Sequence, residues 1–474
     1  MYEDARMIGW IENTLAGLLA DLNALVFTSV PIMGVNVTLI VIWLAIPMFI
    51  FTIWLGFINV RALGQSVRIV RDKTVDEDAP GTISQFSALT TALSGTVGLG
   101  NIAGVAIAIA TGGPGAAFWM FVIGFFAMTV KCMEVTLGHK YRTIDPDGSI
   151  RGGPMYAMKN GLAARGKPRF GHLLGWLYAF FALFGAISLV QVNQSYVQVA
   201  GVPGCETGTI YGIIRAALVG LVVIGGVTWL GRVTSMLVPA MAGIYLIGVF
   251  TIILTNLGQL PDAIATIVGD AFTGGAAAGG MLGAFVIGMQ RAVYSSEAGV
   301  GSAVIAHAQA KTREPASEGL VALLEPFIDT VVVCSLGAIA IVISGTYYGG
   351  EDIGIVSDAF ARISDWFPIL LAVAVFLFAY STLCSWGFYG LQAWGYLVGE
   401  GPIRDTIYKV FYVVTIPVGA ILPIQAVIDL VDSAFFLMCI PNVIAIYIFA
   451  PEIRREIRGY LERSRAKRNE ETTP

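Results

Sequence analysis

Apolar segments long enough to cross a lipid bilayer recur along the whole chain and constrain its fold more than any other feature. A transmembrane helix needs about 20 predominantly apolar residues. Only 13% of the 474 residues are charged, whereas soluble domains carry about 25%. The sequence therefore predicts an all-α polytopic membrane protein. Its eleven predicted transmembrane helices lie at residues 36–60, 84–110, 114–138, 171–200, 211–230, 233–256, 281–308, 320–345, 366–398, 405–424 and 427–450.

Both ends of the chain lie outside these segments. Residues 5–27 alternate apolar and polar side chains at helical spacing, which is typical of an amphipathic helix at the membrane interface, and this helical segment is predicted to occupy residues 1–30. Residues 451–474 form a highly charged tail. Most of the 28 lysine and arginine residues fall in alternate loops and in this tail, and such residues favour the cytoplasmic side. The amino terminus is therefore predicted to lie outside and the carboxyl terminus in the cytoplasm.

Ten of the predicted helices divide into two sets of five, with the helix at 36–60 as an extra one before them. The sets cover residues 84–256 and 281–450, which are nearly equal in length, and they start from opposite sides of the membrane. The sequence thus predicts an inverted repeat of five plus five helices. In transporters with inverted repeats, the binding site lies where corresponding helices are interrupted.

Glycines interrupt the first helix of each set. The stretch from Thr90 to Val105 carries four glycines, and glycine is roughly 1 kcal/mol worse than alanine inside a helix. Within it, Gly98 and Gly100 align with Gly299 and Gly301 of the second set. Non-helical backbone at membrane depth is tolerated only where protein or a water-filled cavity satisfies its polar groups. Both breaks are therefore predicted to line a site for ions and a polar substrate. The alternative is that the glycines serve only close helix packing.

Two stretches resemble the alanine or glycine:cation symporter family. They are GTVGLGNIAGVAIAIATGGPGAAFWMF at Gly95–Phe121 and YSSEAGVGSAVIAHAQAKTREPASEGL at Tyr294–Leu320. The chain departs from the family's usual Thr, Asn and Trp at Leu99, Ser296 and Phe121. The resemblance implies a leucine-transporter-like fold and the import of alanine or glycine together with sodium, by alternating access and without enzymatic activity. It also implies a multi-pass protein of a bacterial or archaeal plasma membrane.

An amino-acid zwitterion needs hydrogen-bond donors for its carboxylate and acceptors for its ammonium group. The helix after the first break offers backbone N–H groups at the positive end of its dipole, which places the carboxylate at Gly98, Leu99 and Gly100. Carbonyl groups around Tyr294 are the predicted acceptors. By resemblance, Trp386 borders the substrate, although aromatic residues here are also ordinary core residues. The complete predicted substrate site comprises Thr96, Gly98, Leu99, Gly100, Phe184, Gln191, Tyr294, Ser295, Thr382 and Trp386.

Sodium prefers several oxygen ligands, mostly backbone carbonyl and hydroxyl groups. The resemblance implies a site formed by the carbonyl groups of Ser94 and Val97 and the hydroxyl groups of Ser381 and Thr382. Alternatively, these hydroxyl groups bond back to the preceding helical turn and bind no ion. A second ion site would resemble that of related sodium transporters and would comprise Thr96, Asn101 and Ser295.

Charged residues inside a membrane are functional candidates by default. Arg291 and Glu297 flank the second break. Glu297 is the candidate proton site, which keeps proton coupling as an alternative to sodium coupling. Lys131 and Glu134, three residues apart, are predicted to form a structural salt bridge. Further candidates are Asp329, Asp429 and Asp432.

Other classes of function are disfavoured by the sequence. An enzyme would need a nucleophile–base or metal constellation, but the three histidines lie far apart and the five cysteines lack metal-ligand spacing. No catalytic residue, metal cofactor or disulfide is therefore predicted, and sodium is expected only as a transported ion. Two inverted breaks also favour a single occluded site over the continuous polar lining of a channel. The predicted partners are an amino acid and the lipid bilayer, without nucleic acid, and the sequence leaves the oligomeric state open.

Overall fold

A computed structural model shows an almost entirely helical chain. It describes residues 17, 19–32, 35–72, 78–187, 189–200, 208–273, 280–348, 353–421 and 425–472. The predicted amphipathic helix falls largely outside these ranges, and residues 19–26 of it are helical (α1). Two short antiparallel hairpins accompany the helices. They are formed by β1 (Ser29–Ile32) with β2 (Val35–Thr38), and by β3 (Thr143–Ile144) with β4 (Ile150–Arg151).

The remaining helices follow one another with short connections. They are α2 (Leu39–Trp54), α3 (Ile58–Arg61), α4 (Leu63–Arg71), α5 (Gln85–Thr96), α6 (Leu99–Gly112), α7 (Gly115–Lys140), α8 (Pro154–Ala164), α9 (Pro168–Gly185), α10 (Leu189–Ala200), α11 (Gly208–Thr255), α12 (Leu260–Thr273), α13 (Gly280–Ser296), α14 (Ala303–His307), α15 (Pro315–Ala322), α16 (Leu324–Pro326), α17 (Ser335–Ser344), α18 (Gly354–Ala361), α19 (Phe367–Val398), α20 (Pro402–Ile421) and α21 (Gln425–Thr472). A π-helical segment, Phe327–Cys334, joins α16 to α17, and 3₁₀ turns occupy Leu257–Gln259 and Thr346–Tyr348.

The first break lies between α5 and α6, which together are bent by 43°. The hydroxyl group of Ser84 caps α5 by accepting a hydrogen bond of 3.1 Å from the N–H group of Ser87. The helix stops because Val97 and Gly98 have extended backbone conformations. The side chain of Asn101 then caps the next helix, since its oxygen accepts from the N–H group of Gly98 at 3.0 Å. The break is therefore a two-residue interruption with its own caps.

The second break follows Ser296, the last residue of α13. Glu297, Gly299 and Gly301 have positive φ angles of 50°, 88° and 85°, a region that glycine adopts without strain. A β-carbon at Gly299 would lie 2.6 Å from Cδ2 of Leu44. Because Leu44 belongs to α2, the extra N-terminal helix packs directly against this break.

The sequence predicts eleven transmembrane helices, but fewer continuous helices in the structure are long and apolar enough to cross a membrane. Among the described residues there are five, or six if the bent pair of α5 and α6 counts as one span. One reason is that some predicted segments are divided. Residues 171–200 form α9 and α10, and residues 281–308 form α13, the second break and α14. The five helices are Gly115–Lys140, Gly208–Thr255, Pro315–Ser344, Phe367–Val398 and Leu430–Ala466.

A second reason is that two predicted helices, 211–230 and 233–256, are joined in α11. The helical backbone is interrupted at Gly226, with φ 72° and ψ −171°, and not at the predicted gap around Arg232. The predicted gap was placed at Arg232 because a charged residue is unfavourable inside a membrane. The helix is interrupted at Gly226 instead, because only glycine adopts the backbone conformation found there at little cost. The carboxyl-terminal tail likewise continues α21 as a helix as far as Thr472.

Small residues allow α7 to pack closely against the helices of the second half. A β-carbon at Gly124 would lie 2.5 Å from Cγ2 of Thr330, and one at Gly138 would overlap the side chain of Val304. A β-carbon at Gly288 of α13 would likewise meet the backbone of α7. Glycine at helix contacts is typical of membrane proteins, in which van der Waals packing drives association. The long helix α7 therefore packs against α13 before the second break and against α14 after it.

Candidate functional site

A cavity of about 420 Å³ lies between the two breaks and is called the central cavity below. Its walls come from α5, α6, the end of α9, α10, α13, α19 and α21, together with Phe27. They include seven of the ten residues that the sequence predicts for the substrate site. These seven are Thr96, Gly98, Leu99, Gly100, Gln191, Tyr294 and Trp386. Phe184, Ser295 and Thr382 are not among the described residues that line it.

The two breaks face each other across the central cavity. A β-carbon on Gly100 would lie 3.8 Å from the carbonyl oxygen of Tyr294. The first N–H groups of a helix have no acceptor within that helix, and here they belong to the turn that begins at Leu99. An anion at the start of α6 and a cation beside the Tyr294 carbonyl group would thus both find complementary charge in one small space.

Gly98 is the point at which three helices meet. A β-carbon there would lie 3.0 Å from Oγ1 of Thr382 on α19 and 3.7 Å from the side-chain amide of Gln191 on α10. Its φ angle of −132° is open to any residue. Glycine is therefore required at this position for space and not for backbone conformation. Although Thr382 does not line the cavity, its hydroxyl group lies directly behind the break.

The hydroxyl groups predicted to bind sodium lie where α5 meets α19. Those of Ser381 and Thr382 both donate to the carbonyl oxygen of Phe378, at 2.9 and 3.0 Å. This is the back-bonded arrangement that was the alternative to ion binding. A hydroxyl group has one hydrogen and two lone pairs, so each can still accept a cation. The hydroxyl group of Ser94 donates to the carbonyl oxygen of Ser381 at 2.7 Å.

Further hydrogen bonds fix the first break to α19. The hydroxyl oxygen of Ser385 lies 2.9 Å from the carbonyl oxygen of Thr91 and 3.0 Å from the hydroxyl oxygen of Ser94, and its single hydrogen can be donated to either of them. The indole N–H group of Trp386 donates to the carbonyl oxygen of Gly95 at 3.3 Å. Trp386 is thus a wall of the cavity whose orientation is set by the last turn of α5.

Two of the three side chains predicted for a second ion are in contact. The amide of Asn101 donates to the hydroxyl group of Ser295 at 2.8 Å, and Ser295 also bonds to Thr330 at 2.8 Å. The hydroxyl group of Thr96 bonds instead to the carbonyl oxygen of Ala92 at 3.3 Å. Among the described contacts, none joins Thr96 to the other two predicted residues.

Aromatic rings form another part of the cavity wall. The rings of Tyr294 and Phe435 are stacked with centroids 5.7 Å apart, and the ring of Trp386 lies 6.2 Å from that of Phe435. Phe435 was not predicted, because an aromatic residue inside an apolar segment is indistinguishable in sequence from a core residue. Phe184 packs against Phe180 at 5.1 Å. Phe184 does not line the cavity, whereas the next residue, Gly185 at the end of α9, does.

Charged groups lie at the cavity wall as well. Glu297, Arg291 and Asp432 all line it, together with Gln290, which sequence analysis missed. The carboxyl group of Glu297 accepts a hydrogen bond from the hydroxyl group of Ser302. The side chain of Asp429 lies outside the described part of the chain.

The predicted pair of Lys131 and Glu134 is confirmed as a buried salt bridge, with Nζ 3.3 Å from Oε1. Nζ also donates to the backbone carbonyl oxygen of Glu297 at 3.3 Å. Oε2 of Glu134 accepts from the N–H group of Gly299 at 3.1 Å. The pair therefore supports the non-helical backbone of the second break.

Within the described part of the chain no group of His, Cys, Asp and Glu has the arrangement of a metal site. Four cysteines are unpaired there, and Cys205 lies outside it.

Two helices of the bundle are broken, and a small cavity lies between the two breaks. This arrangement is typical of secondary transporters. The fold is similar to that of MhsT in complex with L-phenylalanine, with a TM-score of 0.53 and 15% identity over 78% of this chain and 89% of that one. It is also similar to the Eremococcus coleocola manganese transporter, with a TM-score of 0.51 and 13% identity over 81% and 82% of the two chains. These likenesses show a leucine-transporter-like fold.

The chain belongs to the sodium:alanine symporter family, whose model matches residues 22–474. It is 36% identical to the sodium/alanine symporter AgcS of Methanococcus maripaludis over 87% of this chain and 91% of that protein. It is 33% identical to the probable sodium/glutamine symporter GlnT of Bacillus subtilis, over 90% and 88% of the two chains. The protein is therefore a multi-pass membrane transporter of a sodium-coupled amino-acid symporter family and not an enzyme.

Proposed function

We propose that the protein imports a small neutral amino acid, alanine or glycine, together with sodium. The observation that carries this proposal is the meeting of the two breaks at one cavity, with the start of α6 facing the carbonyl group of Tyr294. The carboxylate binds at Gly98, Leu99 and Gly100, and the ammonium group at carbonyl groups of the second break. Trp386 and the ring stack beside it limit the side chain to hydrogen or methyl.

Sodium binds beside the substrate, between α5 and α19. Its ligands are the carbonyl oxygens of Ser94 and Val97 and the hydroxyl oxygens of Ser381 and Thr382. Support comes from the hydrogen bonds of the two α19 hydroxyl groups, which use their hydrogens and leave lone pairs for a cation. The contact between Thr382 and Gly98 gives sodium a direct route to influence the substrate site. A second ion at Thr96, Asn101 and Ser295 has weaker support, because these side chains already bond to protein partners.

The proposed membrane arrangement has eleven spans in an inverted repeat. The helices of 84–256 and 281–450 form the two halves, 36–60 is the extra helix, and residues 1–30 lie at the outer surface. The tail of 451–474 lies in the cytoplasm of a bacterial or archaeal cell. Alternating access then rocks one bundle against the other around the central cavity. Joint binding of ion and substrate favours the occluded state, which couples their fluxes.

A proton in place of sodium is the second candidate for the coupling ion. It is favoured by Glu297, a carboxyl group that lines the central cavity while being 5% exposed. A different small neutral substrate on the same fold is the other alternative, and the relative whose name specifies glutamine keeps it open. Leu99 is the cavity residue that departs from the family's usual Thr, so it is the first position to examine if alanine is not carried.

The test is uptake of labelled alanine, glycine and glutamine into proteoliposomes. An inward sodium gradient is compared with a potassium gradient and with a proton gradient at equal membrane potential. Accumulation of alanine or glycine with sodium alone is the expected result. Accumulation with protons alone would replace sodium by the proton, and accumulation of glutamine alone would overturn the proposed substrate. Empty liposomes provide the background.

A further inference from the structure

A small pocket of about 200 Å³ lies between α4 and the carboxyl-terminal tail of α21. It is called the arginine pocket below. Gly64 and Arg68 are four residues apart on α4, as are Leu461 and Arg465 on α21, so each helix turns one face to the pocket. The lining residues are Arg61, Gly64, Gln65, Arg68, Leu461 and Arg465. Within the described part of the chain, this lining brings three arginines together and includes no acidic residue.

The positive charge of the arginine pocket is not neutralised by the described residues. Among the described contacts, Arg61 donates only to a backbone carbonyl oxygen, at 3.2 Å. Neither Arg68 nor Arg465 has a hydrogen bond or an ion pair within the described residues. By contrast, Arg463 on the same tail pairs with Glu314 at 2.6 Å. Because like charges repel each other and an anion between them removes the repulsion, the arginine pocket is suited to an anion.

A phosphate group fits both the chemistry and the space of the arginine pocket. A guanidinium group presents its N–H groups in a planar fork that matches the oxygens of phosphate. Gly64 leaves room for the group, since a β-carbon there would have no neighbour within 4 Å. The side-chain amide of Gln65 donates to the hydroxyl group of Ser464 at 2.8 Å and so fixes α4 to the tail. The two sides of the pocket are therefore held together by a contact that leaves the arginines free.

Exposed apolar side chains lead along α2 to the arginine pocket. They repeat at intervals of four and three residues, which is the spacing of one helix face. These side chains are Ile46, Ile50, Ile53, Phe57 and Val60. The guanidinium group of Arg61 lies beside the end of this row, because it donates to the carbonyl oxygen of Gly56, next to Phe57. An acyl chain that lies along the row therefore ends at the pocket.

A tryptophan marks the level of the membrane interface at the same place. Trp54 is the last residue of α2, and the guanidinium group of Arg454 lies 4.6 Å from the centre of its ring. Tryptophan and arginine are typical of the boundary between the hydrocarbon core and the lipid headgroups. Since Arg61 and α4 follow Trp54 directly in the chain, the arginine pocket lies at the depth of the headgroups.

We propose that the arginine pocket binds the phosphate group of an anionic phospholipid, whose acyl chains lie along the exposed apolar row of α2. A soluble phosphate would use the charge of the pocket but not the row beside it, so a lipid is the favoured occupant. With the tail in the cytoplasm, as proposed above, the lipid belongs to the inner leaflet, whose surface is negative. The bound lipid joins α2, α4 and α21 at one point, whichever amino acid and ion are carried.

The experiment counts bound lipid by native mass spectrometry. The full chain, purified in an uncharged detergent, is titrated with dioleoylphosphatidylglycerol or with zwitterionic dioleoylphosphatidylcholine. We expect a saturable site that prefers phosphatidylglycerol. The triple variant R61Q/R68Q/R465Q should weaken this site about ten-fold or more, because each arginine contributes to the attraction of an anionic headgroup. The control R169Q/R455Q/R458Q removes as many exposed arginines outside the pocket and should stay within about two-fold of the parent.

A variant without any change of charge tests the shape of the arginine pocket. G64L fills the open space beside the arginines and should weaken phosphatidylglycerol binding about five-fold or more, because lipid and side chain compete for one volume. Gly269 of α12 is also exposed and also has no neighbour within 4 Å of a β-carbon, so G269L is the control and should bind as the parent does. Thermal unfolding with and without phosphatidylglycerol provides a second readout, in which the lipid stabilises the parent and both controls only.

Three results would overturn the lipid site. An equal loss of binding in R61Q/R68Q/R465Q and in R169Q/R455Q/R458Q would show a general attraction to surface charge. Unchanged binding in R61Q/R68Q/R465Q and in G64L would place the lipid elsewhere. Displacement of the lipid by inorganic phosphate at an equal concentration would assign the pocket to a soluble anion.

Discussion

The side-chain amide of Asn101 donates a hydrogen bond of 2.8 Å to the hydroxyl group of Ser295 and so joins the two broken helices directly. The oxygen of the same amide accepts from the N–H group of Gly98 at 3.0 Å. One side chain therefore caps α6 and attaches it to α13. Asn101 and Ser295 are both fully buried. If the side chain of Asn101 is removed, water therefore does not take its place as a partner of Ser295 or of the N–H group of Gly98.

Replacing this amide should disturb both breaks at once. For N101A we expect a loss of about 2–3 kcal/mol in the free energy of unfolding, because buried partners are left unsatisfied, and a decrease in alanine uptake of about ten-fold. Thermal unfolding in detergent and uptake in proteoliposomes are the measurements. Among the described contacts, the side chain of Asn256 bonds only to Ile252 and Thr255 in the last turn of α11, so N256A is the control and should change neither. Normal uptake by N101A would show that the link between the helices is dispensable.

The space around Gly98 can be tested with a single methyl group. A β-carbon at Gly98 would lie 3.0 Å from Oγ1 of Thr382, whereas one at Gly104 would have no neighbour within 4 Å. Both glycines line the central cavity. We therefore expect G98A to raise the sodium concentration for half-maximal uptake about ten-fold or to abolish uptake, because the methyl group pushes Thr382 away. G104A should stay within about two-fold of the parent. Equal effects of the two substitutions would contradict the contact.

The hydroxyl group of Thr382 is expected to contribute to sodium affinity. T382A should reduce both the sodium dependence and the rate of alanine uptake by about ten-fold, since one oxygen ligand is lost. T382S keeps the oxygen and should recover most of the activity. The measurement is the initial rate of uptake as a function of sodium concentration. Unchanged sodium activation in T382A would remove Thr382 from the ion site.

Trp386 is expected to limit the size of the substrate. W386A should admit larger neutral amino acids, measured as competition of leucine or phenylalanine with labelled alanine, and should weaken alanine binding because the contacts of the indole ring with the substrate are lost. Trp366 is 56% exposed and lies away from the cavity, so W366A is the control. If W386A keeps the selectivity of the parent, another residue forms the wall, and Phe435 is the next to test.

Sequence patterns identified the breaks because the physical signal there is strong. A glycine-rich stretch inside an apolar segment weakens a helix wherever it occurs, and Gly98 is non-helical as predicted. The interruption between α9 and α10 was missed because the segment from 171 to 200 is apolar enough to form one helix. Phe184 and Gln191 were both predicted for the substrate site, but of the two only Gln191 lines the cavity.

Contacts between distant parts of the chain could not be predicted. His307 was dismissed because the three histidines are far apart in sequence, yet Glu318 and Glu325 both lie against it in the folded chain. Likewise Phe435 becomes part of the cavity only because α21 passes beside α13. Periodicity identifies which side chains share a helix face, but it carries no information about which helix lies opposite.

The helix α21 extends from Gln425 to Thr472 and contains Pro441 and Pro451. Near one end Phe435 borders the central cavity, and near the other Tyr460 borders a second cavity, of about 1020 Å³. At that second end Ser464 accepts a hydrogen bond of 2.8 Å from Gln65. We expect a tilt caused by a bound amino acid at Phe435 to reach the surface where the tail emerges only in part, because Pro441 and Pro451 weaken the helix between the two ends. The fluorescence of a label attached beyond Ser464 is thus expected to change when an amino acid binds in the central cavity, although the label lies far from that cavity.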